Sequence, residues 1–319
     1  MAEPAAKRQR TENSPITRSD IWHDDGSVVL QAEGIQFRVH WTLLSLNSAF
    51  FRDMRGLPQP PDQPAIEGCS VIELPDSSTD LHHLLNALYD PLLFSSESLP
   101  FPFIAAIVRL GRKYEFKKLL AAAVERLAYE NPPTLEAHDR VAPKGVGPYV
   151  TTRINHYDGI LFDTVSLAQE NNLHSILACA YSRAVLYRPE SILDGIKIHT
   201  ASPVVTLSPL NQRICLLGRM RILQAQWKQP YPWDWLSSDD SVMGCTNISG
   251  CNATKKQILR ESLMTGKLMV LILCFTDRRL CPACEPRYVE EMAKGRKVLW
   301  DRVPSFFDLP PWSELKNEL

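Results

Sequence analysis

Period-two alternation of apolar and polar side chains most limits how this chain can fold, because it is concentrated close to the N-terminus. Val28, Leu30 and Ala32 point one way, and after Glu33-Gly34 the residues Ile35, Phe37 and Val39 alternate with Gln36, Arg38 and His40. Alternation turns one face of an extended chain toward a core, and Gly34 can take the positive φ of a tight turn, so a β-hairpin is expected. A further short strand is expected at Val71-Ile72-Glu73-Leu74. Between them Leu43, Leu44 and Leu46, then Phe50, Phe51 and Met54, suggest two short helices, with Ser48 as N-cap of the second. Residues 56–68 hold four prolines and form a loop.

Beyond this the period is helical. Asp76-Ser77-Ser78 can cap a helix in which Leu81, Leu84, Leu85 and Leu88 make one buried stripe. Phe103, Ile107, Leu110 and Tyr114 repeat the spacing, and Phe116, Leu119, Leu120, Val124 and Leu127 repeat it again. Pro132-Pro133, Pro143, Gly145, Gly147 and Pro148 then break the pattern, so residues 131–157 read as a linker. Helices return with Leu161, Val165 and Ala168, with Ile176, Leu177, Ala180 and Ala184, and with a stripe of Leu216, Met220, Leu223 and Trp227 ended by Pro230. The chain closes on Phe306-Phe307-Asp308-Leu309-Pro310-Pro311-Trp312, which either docks a partner or folds back on its own domain. The expected organisation is α+β: a tail at 1–19, a domain of small sheet and helices at 20–130, the linker, and a mostly helical domain at 158–319.

The run from residue 20 to 127 resembles a BTB/POZ domain. Phe37-Arg38-Val39-His40, Leu43-Leu44, Ser48, Phe50-Phe51-Arg52-Asp53-Met54, the strand at Val71-Ile72-Glu73-Leu74 and the helix ending at Tyr89 carry that resemblance. Trp22-His23-Asp24-Asp25-Gly26, Leu57-Pro58-Gln59-Pro60-Pro61-Asp62 and Leu88-Tyr89-Asp90 look like the large set of BTB proteins in mushroom-forming fungi. The resemblance implies an interaction protein that pairs with itself or with other BTB proteins and serves an unidentified protein partner. Family members act as substrate adaptors for cullin ubiquitin ligases or as transcriptional regulators. Cullin-recruiting members often carry an apolar residue two positions before a Glu after the Arg-x-Met helix. The nearest match here, Leu57-Pro58-Gln59, is neutral and stiffened by proline, which counts against a cullin scaffold as partner. The swapped dimer of many members uses an amphipathic helix ahead of the hairpin, and residues 11–20 show none.

Charge narrows the partners. Thirty-five Lys and Arg against 36 Asp and Glu leave a net charge of −1, no global field for a polyanion or a lipid surface, so direct nucleic-acid binding is not expected. With 45% hydrophobic residues the chain can build a sizeable core, and no apolar run approaches a membrane span or a secretory signal, so an intracellular protein is expected. Pro4-Ala5-Ala6-Lys7-Arg8-Gln9-Arg10 reads as a one-part nuclear import signal or as a solvated tail, leaving nucleus or cytoplasm open.

Four of the eight cysteines fall in two pairs, Cys245-x5-Cys251 and Cys281-x2-Cys284. Four thiolates on two short loops can surround one Zn²⁺, a closed structural site without a position for substrate. Reduced thiols acting as small apolar residues are the alternative. A third reading is a thiol–disulfide enzyme using Cys281 and Cys284 at a helix start, preceded by a strand at 268–275, although no βαβ unit stands upstream. Lys255, Lys256, Arg260, Arg278 and Arg279 around the pairs are offset by Glu261, Asp277, Glu285, Glu290 and Glu291. The neighbouring His82-His83 point in different directions on one helix, and Asp24-Asp25 belongs to a turn with Gly26. No phosphate loop, nucleophile elbow or His-Glu-x-x-His occurs, so no enzyme is expected.

Overall fold

Glu33 and Gly34 both take positive φ, 47° and 77°, which is the two-residue turn whose twist matches a hairpin. They join β2 (Val28–Ala32) to β3 (Ile35–Val39) in antiparallel register, Val28 opposite Val39 and Ala32 opposite Ile35. The computed structural model describes residues 16–58, 64–141, 149–197, 203–227, 232–239, 242–266, 268 and 279–317. The basic run at 4–10 and most of the expected strand at 268–275 lie outside these residues.

A sheet of order β1-β3-β2-β5-β4 grows around the hairpin, with β1 at Thr17–Trp22, β4 at Ala65–Ile66 and β5 at Cys69–Glu73. Central β2 pairs in parallel with β5, and Val28, Val29 and Leu30 are all fully buried, so its apolar run is covered on both faces rather than one. Strand β1 is a correction to the tail at 1–19. Thr17, Arg18 and Ser19 are extended, and Thr17 and Arg18 pair in parallel with β3, although these side chains are mostly exposed and leave no periodic trace in the sequence.

Helices α1 (Trp41–Asn47), α2 (Ala49–Arg55), α3 (Ser78–Tyr89), α4 (Phe101–Lys113) and α5 (Lys117–Glu130) follow. Ser48 caps α2 as expected: its Oγ accepts from the Phe51 N–H at 3.0 Å and donates to the Tyr114 carbonyl at 2.6 Å. The cap of α3 differs. Glu33 of the hairpin turn accepts from both the N–H and the hydroxyl of Ser78 at 2.9 Å, while Asp76 is taken by Lys113 and Tyr114. A carboxylate at a helix N-terminus also meets the positive end of the helix dipole, so a remote anion displaces the local serine. Leu81, Leu84, Leu85 and Leu88 are buried on α3 as the stripe requires.

The chain divides into two compact units at Val124/Glu125. The second contains α6 (Leu135–Val141), α7 (Ile160–Glu170), α8 (His174–Ala184), α9 (Pro189–Asp194), a two-stranded ribbon of β6 (Ile196–Lys197) and β7 (Val204–Val205), α10 (Pro209–Ala225), α11 (Pro232–Ser237), α12 (Ile248–Thr265), α13 (Cys284–Asp301) and α14 (Val303–Phe306). Two expectations are corrected here. Where described, residues 131–157 are folded: α6 lies among them, and the buried Glu130 carboxylate accepts the N–H groups of Thr152 and Arg153 at 2.8 and 2.6 Å. On α10 the buried face is Asn211, Cys215, Gly218, Ile222 and Ala225, whereas Met220, and Trp227 just past its end, are half exposed. Small residues make that face because Phe307 packs on it; a Cβ at Gly218 would stand 2.2 Å from the ring.

The apolar end of the chain folds onto its own unit. Phe307 stacks on Tyr181 with centroids 5.2 Å apart, Trp312 stacks on Trp300 at 5.6 Å, and the Trp312 indole donates to the Trp300 carbonyl at 2.9 Å. No helix among the described residues is long and apolar enough to cross a membrane.

Candidate functional site

Helices α12 and α13 are the local reason four sulfurs meet. Asn247 accepts from the Gly250 N–H at 2.9 Å and starts α12, which puts Cys251 in its first turn and leaves Cys245 in the turn before it, after Gly244 at φ 82°. In the same way Cys284 is the first residue of α13, and its N–H is bonded to the Cys281 carbonyl at 2.9 Å. The sulfurs of Cys245, Cys251, Cys281 and Cys284 all lie within 4.8 Å of one another, and those of Cys245 and Cys281 are 3.8 Å apart. Bonds of about 2.3 Å from a central Zn²⁺ set neighbouring sulfurs about 3.8 Å apart at the corners of a tetrahedron. The long Cys-x5-Cys gap is thus no obstacle, because the capped first turn of α12 folds Cys251 back toward Cys245.

The electrostatics of the cluster are uneven. N–H groups of Thr246, then of Cys284 and Ala283, point at the Cys281 sulfur and hold its thiol down at about 5. Burial pushes the Cys251 and Cys284 thiols up, and their sulfur neighbours oppose further negative charge. Four sulfurs crowded this way can all ionise only around a cation, and a soft tetrahedral sulfur set suits zinc or a single iron. All four sulfurs face one another, so such an ion would be closed off by protein ligands. Cys179 and Cys215 lie outside this group; both are buried, and burial raises their thiols.

Among the described residues near the cluster, Arg260 is exposed while three other basic side chains are engaged. Lys255 is buried with its ammonium 4.6 Å from the centre of the Trp235 ring, Lys256 pairs with Asp239 at 2.9 Å, and Arg279 pairs with Glu261 at 3.0 Å. Arg278 lies outside the described residues.

In the N-terminal unit the hairpin end gathers polar groups that sequence reading left apart. Asp25 sits in the expected turn, where the Gly26 N–H donates to the His23 carbonyl. Its carboxylate lies 3.1 Å from His40 Nε2, whose bond holds Asp25 below the usual carboxylate range. His40 Nδ1 is 2.7 Å from the Tyr89 hydroxyl, and His23 stacks on the Tyr89 ring at 4.3 Å. The only signal for this was the aromatic end of α3. His82 Nε2 lies 2.9 Å from Asp20, and His83 packs edge-on against Phe103, so the adjacent pair does not converge.

No curated protein matches the chain in sequence. A family model described as BTB/POZ domain matches residues 23–131, the stretch that begins at His23, runs through the hairpin and α3, and ends just past α5. Hairpin, paired short helices, return strand and helical pairs are thus one recognised unit, and residues 23–131 of this chain are a BTB/POZ domain, a protein-interaction module.

Proposed function

We propose that the chain is a non-enzymatic adaptor that self-associates, or pairs with other BTB proteins, through its N-terminal domain and presents its helical C-terminal unit to a further protein. The observation that carries this reading is the BTB/POZ match over residues 23–131. Membership of the set found in mushroom-forming fungi, and service either in transcriptional regulation or in recruiting substrates to a ubiquitin ligase, are the finer forms of the same reading. Leu57 is 63% exposed just after α2, open to a partner, but the Pro58 that follows restricts its backbone, which favours regulation over cullin binding. Light scattering on the purified full chain tests the proposal. A dimeric mass at tens of micromolar is expected; a monomeric mass, with no BTB protein recovered alongside the chain from cells, overturns it.

Cys245, Cys251, Cys281 and Cys284 serve in this reading as a structural zinc site. It would tie the entrance of α12 to that of α13. Support comes from the common 4.8 Å envelope of the four sulfurs. Elemental analysis should find about one zinc per chain, and Cys281→Ser should lose it while Cys215→Ser keeps it. A thiol–disulfide enzyme remains the rival. It predicts turnover in an exchange assay and no dependence on Cys245.

A further inference from the structure

The four sulfurs are not equivalent in position. Cys251 and Cys284 are each 3% exposed and sit in the opening turns of 18-residue helices. Cys245 and Cys281 are half-buried and lie on turns outside the helices. The Cys281 and Cys245 sulfurs lie 3.8 Å apart, whereas a disulfide needs about 2.05 Å. Turns can absorb the difference. Gly244, with its left-handed φ of 82° and no side chain packed closely on it, adjoins Cys245.

We propose that Cys245 and Cys281 are an oxidation site, closing to a disulfide under hydrogen peroxide and withdrawing two of the four sulfurs from the metal-binding set. This rests on reading the four thiols as one metal site. The Cys281 thiolate attacks peroxide, giving a sulfenic acid and releasing hydroxide. The Cys245 thiolate then attacks the sulfenic sulfur, forming the S–S bond and expelling a second hydroxide. Two thiolates and one peroxide thus become one disulfide and two hydroxides, the thiolates oxidised and the peroxide reduced. Two sulfurs, Cys251 and Cys284, then remain to hold an ion that needed four. Because the new bond joins the same two turns, oxidation replaces a metal clip by a covalent one, and the entrances of α12 and α13 stay tethered.

The test uses the full-length protein as purified. It is treated with hydrogen peroxide, remaining thiols are blocked with N-ethylmaleimide, and peptides are mapped by mass spectrometry while released zinc is followed with a chromogenic chelator. The expected result is a Cys245–Cys281 cross-linked peptide that grows in step with released zinc, one ion per disulfide, both reversed by dithiothreitol with added zinc. Cys245→Ser should leave Cys281 as a sulfenic acid that dimedone traps. A cross-link between Cys281 and Cys284, or four thiols still alkylated after a peroxide dose that oxidises glutathione, overturns the proposal. Zinc-loaded protein with the wrong disulfide refutes the pair alone. Zinc-free protein that still forms the Cys245–Cys281 bond refutes the metal reading alone.

Discussion

The two units bury different kinds of group. Among the described residues the N-terminal unit buries Gln36, Ser48 and Ser78 as its polar side chains, and none of them carries a charge. The C-terminal unit, which begins at Glu125 within α5 and so takes in the last residues of the BTB/POZ match, buries Arg126, Glu130, His138, Arg183, Lys255 and Arg296. Glu130 accepts the Tyr149 hydroxyl besides its two backbone N–H groups, and Arg183 donates to the Glu130 carbonyl while its guanidinium lies 3.6 Å over the Tyr149 ring. Arg296 grips Asp139 with two bonds of 2.5 and 2.6 Å, beside His138 and Trp300. A core of apolar contacts is insensitive to pH, but a core wired through ionisable groups is not. The core of the first unit should therefore respond mainly to loss of volume, that of the second to loss of a single polar partner or to a change of protonation.

The largest expected effect is in the second unit. Glu130→Ala removes the acceptor of two backbone N–H groups and a buried hydroxyl, and should cost about 3–5 kcal/mol. Hydrogen exchange read by mass spectrometry should show protection lost in peptides covering residues 149–185 and kept in those covering residues 28–39. Equal loss in both would erase the contrast between the units.

Acid comes next. Burial, reinforced by the Arg183 charge, holds His138 at about 4, below its usual 6.5, so the unfolded chain takes up the proton first. Its contribution is fully present above about 6.5 and is lost as pH falls toward about 4. That difference amounts to up to about 3–4 kcal/mol at about 1.4 kcal/mol per pKa step. Asp139, whose bonds from Arg296 and His138 outweigh its burial and hold it below its usual range, carries the loss to still lower pH. Denaturant unfolding between pH 7 and pH 4 should show a steeper fall in wild type than in His138→Gln, which has no proton to gain. Matching slopes would remove His138 as the source.

The smallest effect belongs to the N-terminal unit. Ser48→Ala removes the cap of α2 and the bond to Tyr114, and should cost about 1–2 kcal/mol. Exchange in peptides spanning residues 48–55 reads it directly, and a change in peptides of residues 149–185 would show that the units are not separable in this respect.

Much of the first unit was legible because its signals are local. Alternation around Glu33-Gly34, the Ser48 cap and the leucine stripe of α3 each depend on residues a few positions apart. Strand β1 was hidden because a mostly exposed strand has no apolar period to display. On α10 the large apolar residues drew attention to the wrong face. Burial follows what packs opposite, and Phe307, far along the chain, fits only over Gly218 and its small neighbours.

By itself the sequence determined the sheet-then-helix order, the BTB/POZ stretch and which cysteines come in pairs, because period, cap and spacing are properties of short segments. That the two pairs meet in one cluster, that Glu33 caps α3 and that Glu130 gathers residues 149–153 was decided only in three dimensions. Those groups lie tens of residues apart, and the local pattern around each carries no record of which distant segment the folded chain brings within bonding distance.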